Sequence, residues 1–187
     1  MTMSRQTLLW VSAALLLFWA VGGYNRLVRS RNAIQQTYAA LDGRVVQRNH
    51  CVEGLARALQ SGGFEPAAVE SLAGALAQSQ AAREQARRTP CDAAAITNLG
   101  VAEQVLTDAR ARLAERMALP RDGAAADADV ATLVRQIAEA DVALGFAREE
   151  FNRAAAAYNH AVGQFPTRVL AAIFGFSAGA TLPAGGV

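Results

Sequence analysis

A chain of 187 residues with a net charge of +2 has room for one domain and a short accessory segment, and its charge is too small to point to nucleic acid. Hydrophobic residues make up 52%, alanine supplying much of that, and aromatics only 6%; this is helix-forming composition without valine, isoleucine and threonine runs for a sheet. Two cysteines (Cys51, Cys91) and two histidines (His50, His160) are the whole soft-ligand inventory and share no metal-site spacing, so unpaired thiols and no cofactor are expected.

The first element is a membrane span. No charge lies between Arg5 and Arg26, and at about 1.5 Å per residue a helix over that stretch reaches about 30 Å, the thickness of a bilayer core. Trp10, Trp19 and Tyr24 lie towards its ends, where amphipathic rings favour the interface. A cleaved signal peptide ending near Ala20-Val21-Gly22 is the competing reading. The length of the apolar run and Trp19 beside that site favour an uncleaved single-pass anchor. Arg5 alone precedes the span, whereas Arg26, Arg29, Arg31, Arg44 and Arg48 come after it. That asymmetry places the bundle domain in the cytoplasm, with a periplasmic or extracellular domain as the alternative.

Beyond the span the apolar spacing stays helical through Ile34, Tyr38, Leu41, Val45, Val52, Leu55 and Leu59, so the span continues into a first bundle helix, 24–60. Arg48 interrupts that seam and is expected to extend its guanidinium into water. Gly62-Gly63 ends the helix and Pro66 opens the second, 66–88. Thr89-Pro90 breaks it, Asp92 caps a third helix, 92–118, and Leu119-Pro120 stops that one. The fourth, 127–165, carries large residues every seventh position: Val130, Ile137, Leu144, Phe151, Tyr158, Phe165. A second row three residues on is mostly small: Leu133, Ala140, Ala147, Ala154, Ala161. Pro166 ends it. Residues 169–176 are apolar but too short to span a bilayer, and the glycine- and alanine-rich tail from Ser177 is expected to be loose.

The fold class is therefore all-α: an N-terminal transmembrane helix continuing into an antiparallel up-down four-helix bundle with long first and fourth helices. The divisions are 1–23 (anchor), 24–166 (bundle) and 167–187 (apolar segment and tail). Two helices much longer than the other pair predict a two-helix stalk near the membrane, from 24–38 and 151–165. Asparagines repeat at seven on both, Asn25 and Asn32, Asn152 and Asn159, and amides beside a seam can fix register.

Several of these residues resemble the LemA family: Tyr24-Asn25, Leu27-Val28 and Arg31-Asn32 after a membrane helix, then Ala147-Arg148, Phe151-Asn152, Tyr158-Asn159, Phe165-Pro166 and Gly175-Phe176. The chain departs from the family where Cys51-Val52-Glu53-Gly54 replaces a proline-containing stretch and where Tyr38 replaces a tryptophan. Gly22-Gly23 stand where some members carry a lipobox cysteine, so no lipid anchor is implied. The resemblance implies a helical bundle on a membrane anchor and no enzyme activity.

For chemistry the sequence offers little. His50 and Cys51 are adjacent and cannot face each other on a helix, and no Glu-x-x-His pair exists for a di-metal bundle. The expectation is a membrane-anchored interaction or scaffold protein without catalytic activity, cofactor or small-molecule substrate. Its partners are the membrane and a second copy or another membrane protein. The expected contact surface is the stalk with the apolar segment beside it: Tyr24, Asn25, Asn32, Phe151, Asn152, Tyr158, Asn159, Phe165, Phe174 and Phe176. The alternative is a membrane-surface or bilayer-remodelling protein that uses the C-terminal apolar segment, and the sequence leaves open whether 169–176 docks on bundle or bilayer.

Overall fold

The computed structural model describes residues 5–119 and 128–183, and every regular element among them is helical. Helix α1 runs unbroken from Arg5 to Ser61, through Gly22-Gly23 and across the expected boundary between span and bundle. Its apolar stretch, of mean hydropathy 1.7, is long enough to cross a membrane and none of it is buried by the rest of the chain. Gly63, at φ 70°, reverses the chain after α1. Pro66 then occupies the first turn of α2, Pro66–Arg88. Asp92 accepts a hydrogen bond from the Ala94 amide at 3.0 Å and so starts α3, Ala93–Met117. Helix α4 is Ala128–Gly163 and α5 is Thr167–Phe174. The expected start of the fourth helix at residue 127 and the 120–127 link lie outside the described residues.

The four long helices form an up-down bundle in which α1 lies along α4, α2 along α3 and α1 beside α2. Among the described residues α3 and α4 make no close backbone approach, so the fourth seam of the bundle stands open. The large row of α4 behaves as its spacing predicts over four positions: Ile137, Leu144, Phe151 and Tyr158 are buried. Phe165 departs from it, at 84% exposed, because α4 ends two residues earlier. The Thr167 hydroxyl donates to the carbonyls of Ala161 and Gln164 and takes over that helix end. Of the small row, Ala140 and Ala161 are buried, joined by Ala155.

Three apolar clusters stack along the molecule. The distal one joins Val52, Leu55, Leu72, Leu106 and Ile137; the middle one joins Ile34, Tyr38, Leu99, Leu144, Phe151 and Tyr158. The third joins Leu27, Ala161, Leu170 and Ala171. The expected bare stalk is largely covered. The turn between α2 and α3 reaches down towards Arg31, whose guanidinium lowers the Cys91 thiol against the larger upward push of burial. Below that level α5 and Phe176 wrap α1. The segment after Pro166 is thus a helix of its own, docked through one face.

Phe151 is fully buried, with its ring centroid 5.9 Å from that of Tyr38 in a T-shaped contact, and its loss empties the middle cluster. Phe151→Ala is expected to cost about 3–5 kcal/mol in chemical unfolding of the detergent-solubilised protein, against about 0.5 kcal/mol or less for exposed Val142→Ser.

Candidate functional site: a charged core, an open groove and a strapped tail

Arg48 is 2% exposed, not extended into water as its place in the seam suggested. Its guanidinium grips Glu103 of α3 through two bonds, Nη1 to Oε2 at 2.6 Å and Nη2 to Oε1 at 2.9 Å. Nε and Nη2 also donate to the Asn49 amide oxygen at 3.2 and 2.6 Å. On the far side the Ser79 hydroxyl donates to Glu103 at 2.7 Å, and Asn49 Nδ2 donates to Ser79 at 3.4 Å. Three helices are tied by one network in which no buried side-chain polar atom among the described residues lacks a partner. The departure from expectation has a physical reason: a seam cation needs water only until a buried carboxylate faces it, and Glu103 lies on a distant helix. Burial acts to raise the Glu103 carboxyl. Hydrogen bonds from Arg48 and Ser79 and the charges of Arg48 and Arg148 outweigh it and hold the group below its ordinary 4.5. Ser79 is fully buried, so no substrate atom reaches its hydroxyl.

Beside this network lies the open seam. Between α3 and α4, with Arg48 and Leu55 of α1 as its floor, runs a groove of about 790 Å³. Leu113, Met117, Val134, Ile137 and Val142 give it apolar walls. Arg110 of α3 and Asp141 of α4 join its rims by a two-pronged ion pair. Arg148 lines the end nearer α5; it is half-buried and has no ion pair or side-chain hydrogen bond among the described residues. Burial holds its guanidinium below the ordinary value.

The chain's own tail enters this seam from the α5 end. Asn159 donates to the Gly179 carbonyl and accepts from the Gly179 amide, both at 2.8 Å. Asn152 does the same for Leu182, again at 2.8 Å each way. Leu182 sinks into the middle cluster at 5% exposed. Gly100 of α3 makes room for Pro183, since a Cβ at that glycine would lie 2.8 Å from the proline Cδ. As far as Pro183 the tail is strapped down, not loose; residues 184–187 lie outside the described residues. The asparagine repeat was visible in the sequence, but no local signal says that an amide will read its own chain's extended backbone and not a neighbouring helix.

The ten expected contact residues divide into five groups. Phe151 and Tyr158 are core. Asn152 and Asn159 hold the tail, while Asn25 and Asn32 on α1 are exposed. Tyr24, Phe174 and Phe176 come together where α5 meets α1, Tyr24 lying 5.1 Å from the Phe174 ring and 6.2 Å from Phe176. Arg31 sits 5.9 Å over the Phe176 ring. Phe165 stands apart and exposed. Cys51 and Cys91 are free thiols in different clusters, and His50 and His160 are exposed.

A family model for the LemA family matches residues 67–185, from the start of α2 through the strapped tail. The chain belongs to the LemA family. No curated protein and no solved structure matches it. In this LemA-family chain the matched stretch contains both asparagines and the segment they hold, whereas residues 24–60, which carried half of the resemblance, precede it.

Glu103 has a folded-state pKa below its unfolded value, so the pair's contribution is present above 4.5 and is lost as pH falls through the folded value. Glu103→Gln is expected to cost about 3–5 kcal/mol at neutral pH, because Arg48 is left buried without its counter-charge. Arg48→Met with Glu103→Leu should recover most of that and abolish the pair's share of the acid-dependent loss. Urea unfolding across pH checks both statements.

Proposed function

We propose that this LemA-family protein is a membrane-anchored scaffold without catalytic activity that holds an extended segment of another polypeptide in the α3–α4 groove. The partner is a second copy or another membrane protein. The observation that carries this reading is the strapped tail: the chain itself lays extended backbone into the same seam and reads it through Asn152 and Asn159. An extended chain matches the gap better than a helix of about 10–12 Å diameter does, because the rims approach closely enough for Arg110 and Asp141 to pair across it. Apolar walls supply burial, and the half-buried guanidinium of Arg148 in the groove lining supplies a site for a carboxylate of the bound segment. The apolar start of α1 serves as the anchor, and the arginines just after it favour a cytoplasmic bundle. The sequence pointed to the stalk as the contact surface. With Phe151 and Tyr158 in the core and both α4 asparagines engaged, the groove is the better candidate.

Gly145 lines the groove and has open space around an added Cβ, so Gly145→Trp should fill the groove while the fold stays intact. A photo-cross-linking side chain at Val142 is expected to give an adduct with a second polypeptide in membranes, lost in the Gly145→Trp background at unchanged helicity and unfolding midpoint. Differently tagged copies tell a second copy from another protein. Adducts that form only from Asn32, and that ignore Gly145→Trp, would return the contact to the stalk and end the groove reading.

A further inference from the structure

Helix α5 crosses α1 instead of running along it. A Cβ added at Gly23 would lie 2.7 Å from Leu170 Cδ1 and 3.3 Å from Thr167 Cγ2, and the next residue, Tyr24, meets Phe174. Thr167 and Phe174 are separated by about 10 Å along α5, at about 1.5 Å per residue, yet they meet α1 within one residue step. Both ends of α5 thus meet α1 at nearly one level, which sets the short helix across the long one. Gly23 permits the close crossing.

The level of that crossing is set by the sequence of α1. Immediately below are Trp19, Ala20 and Val21, the end of the apolar stretch; immediately above are Arg26 and Arg29, the latter exposed. A helix transverse to a span at this level lies in the plane of the membrane surface. Its two faces differ. Thr167, Leu170 and Ala171 are buried against α1 and the end of α4. On the opposite side Val169 and Ile173 are 48% and 69% exposed, with Ala172 between them, and exposed Arg168 lies at the edge. Phe165, in the link from α4, is 84% exposed at the same end of the molecule.

From this geometry we infer that α5 is an interfacial helix whose Val169–Ala172–Ile173 face rests in the acyl boundary of the bilayer that α1 crosses. The inference rests on the reading of α1 as a span, and it is independent of the groove. It gives the apolar segment both contacts, bundle on one face and lipid on the other. Arg168, Arg26 and Arg29 then stand at headgroup level, where cations favour anionic lipid. A lone span is a pivot, and a second element lying in the plane fixes how the bundle stands on the membrane.

The test uses the full chain in vesicles of phosphatidylcholine and phosphatidylglycerol, with Cys51 and Cys91 replaced by alanine. Nitroxide labels are placed singly on Val169→Cys, Ile173→Cys, Leu15→Cys in the span and Val46→Cys on the bundle, and depth is read from accessibility to oxygen against a soluble nickel chelate. The expected result is labels at 169 and 173 about 5–10 Å into the headgroup and acyl boundary, Leu15 deep and Val46 in water. Labels at 169 and 173 as wet as Val46, with Leu15 still deep, would overturn the interfacial helix and leave the span standing. A wet Leu15 would overturn both. Gly23→Val should lift α5, moving the label at 173 into water; unchanged depth there would overturn the crossing as the cause.

Discussion

Seven residues of α-helix and three residues of extended chain have nearly the same length, about 10 Å, and this equality is what the open side of the bundle depends on. Asn152 and Asn159 are one heptad apart on α4, and they bind Gly179 and Leu182, three residues apart on the tail. Each amide offers one donor and one acceptor, the same pair that a neighbouring strand would offer. The helix thereby imitates a strand edge at two points. The tail takes the place that a close α3–α4 contact would otherwise fill, and Leu182 completes the middle cluster.

The second constraint is length. Helices α1 and α4 outrun α2 and α3, and apolar surface left bare at the foot of the bundle must find cover. The chain solves this after Pro166 by turning back on itself. Helix α5 covers Gly23 and Leu27, Phe176 lies between Tyr24 and Arg31, and the tail then climbs along α4 to Pro183. One short stretch thus closes the base of the bundle and half of its open seam. The groove that remains begins where the described tail stops, at Arg148.

Much of this was legible in the residues, and the reasons differ by element. Helix bounds follow from Pro66, Thr89-Pro90 and Asp92, because backbone sterics and capping are local. The large row of α4 reports burial because period fixes face. Arg48 misled because its partner lies on α3, and no pattern within α1 reveals a carboxylate that far along the chain. The α4 asparagines were recognised as a pair, but their bonds to the chain's own tail were not foreseen, since spacing on a helix states reach and not what is reached. Segment 169–176 read as apolar in bulk; its division into a buried and an exposed face became visible only with the α1 crossing.

The measurement closest to the central claim is hydrogen exchange at the Gly179 and Leu182 amides in the wild type and in Asn152→Ala with Asn159→Ala. Each rung contributes two hydrogen bonds at about 1 kcal/mol net, so releasing the tail should speed exchange at those amides by about tenfold or more. The amides of Leu99 and Leu106 should keep their protection. Unchanged exchange at Gly179 and Leu182 in the double variant would contradict the account, since the tail would then be held by something other than the two asparagines.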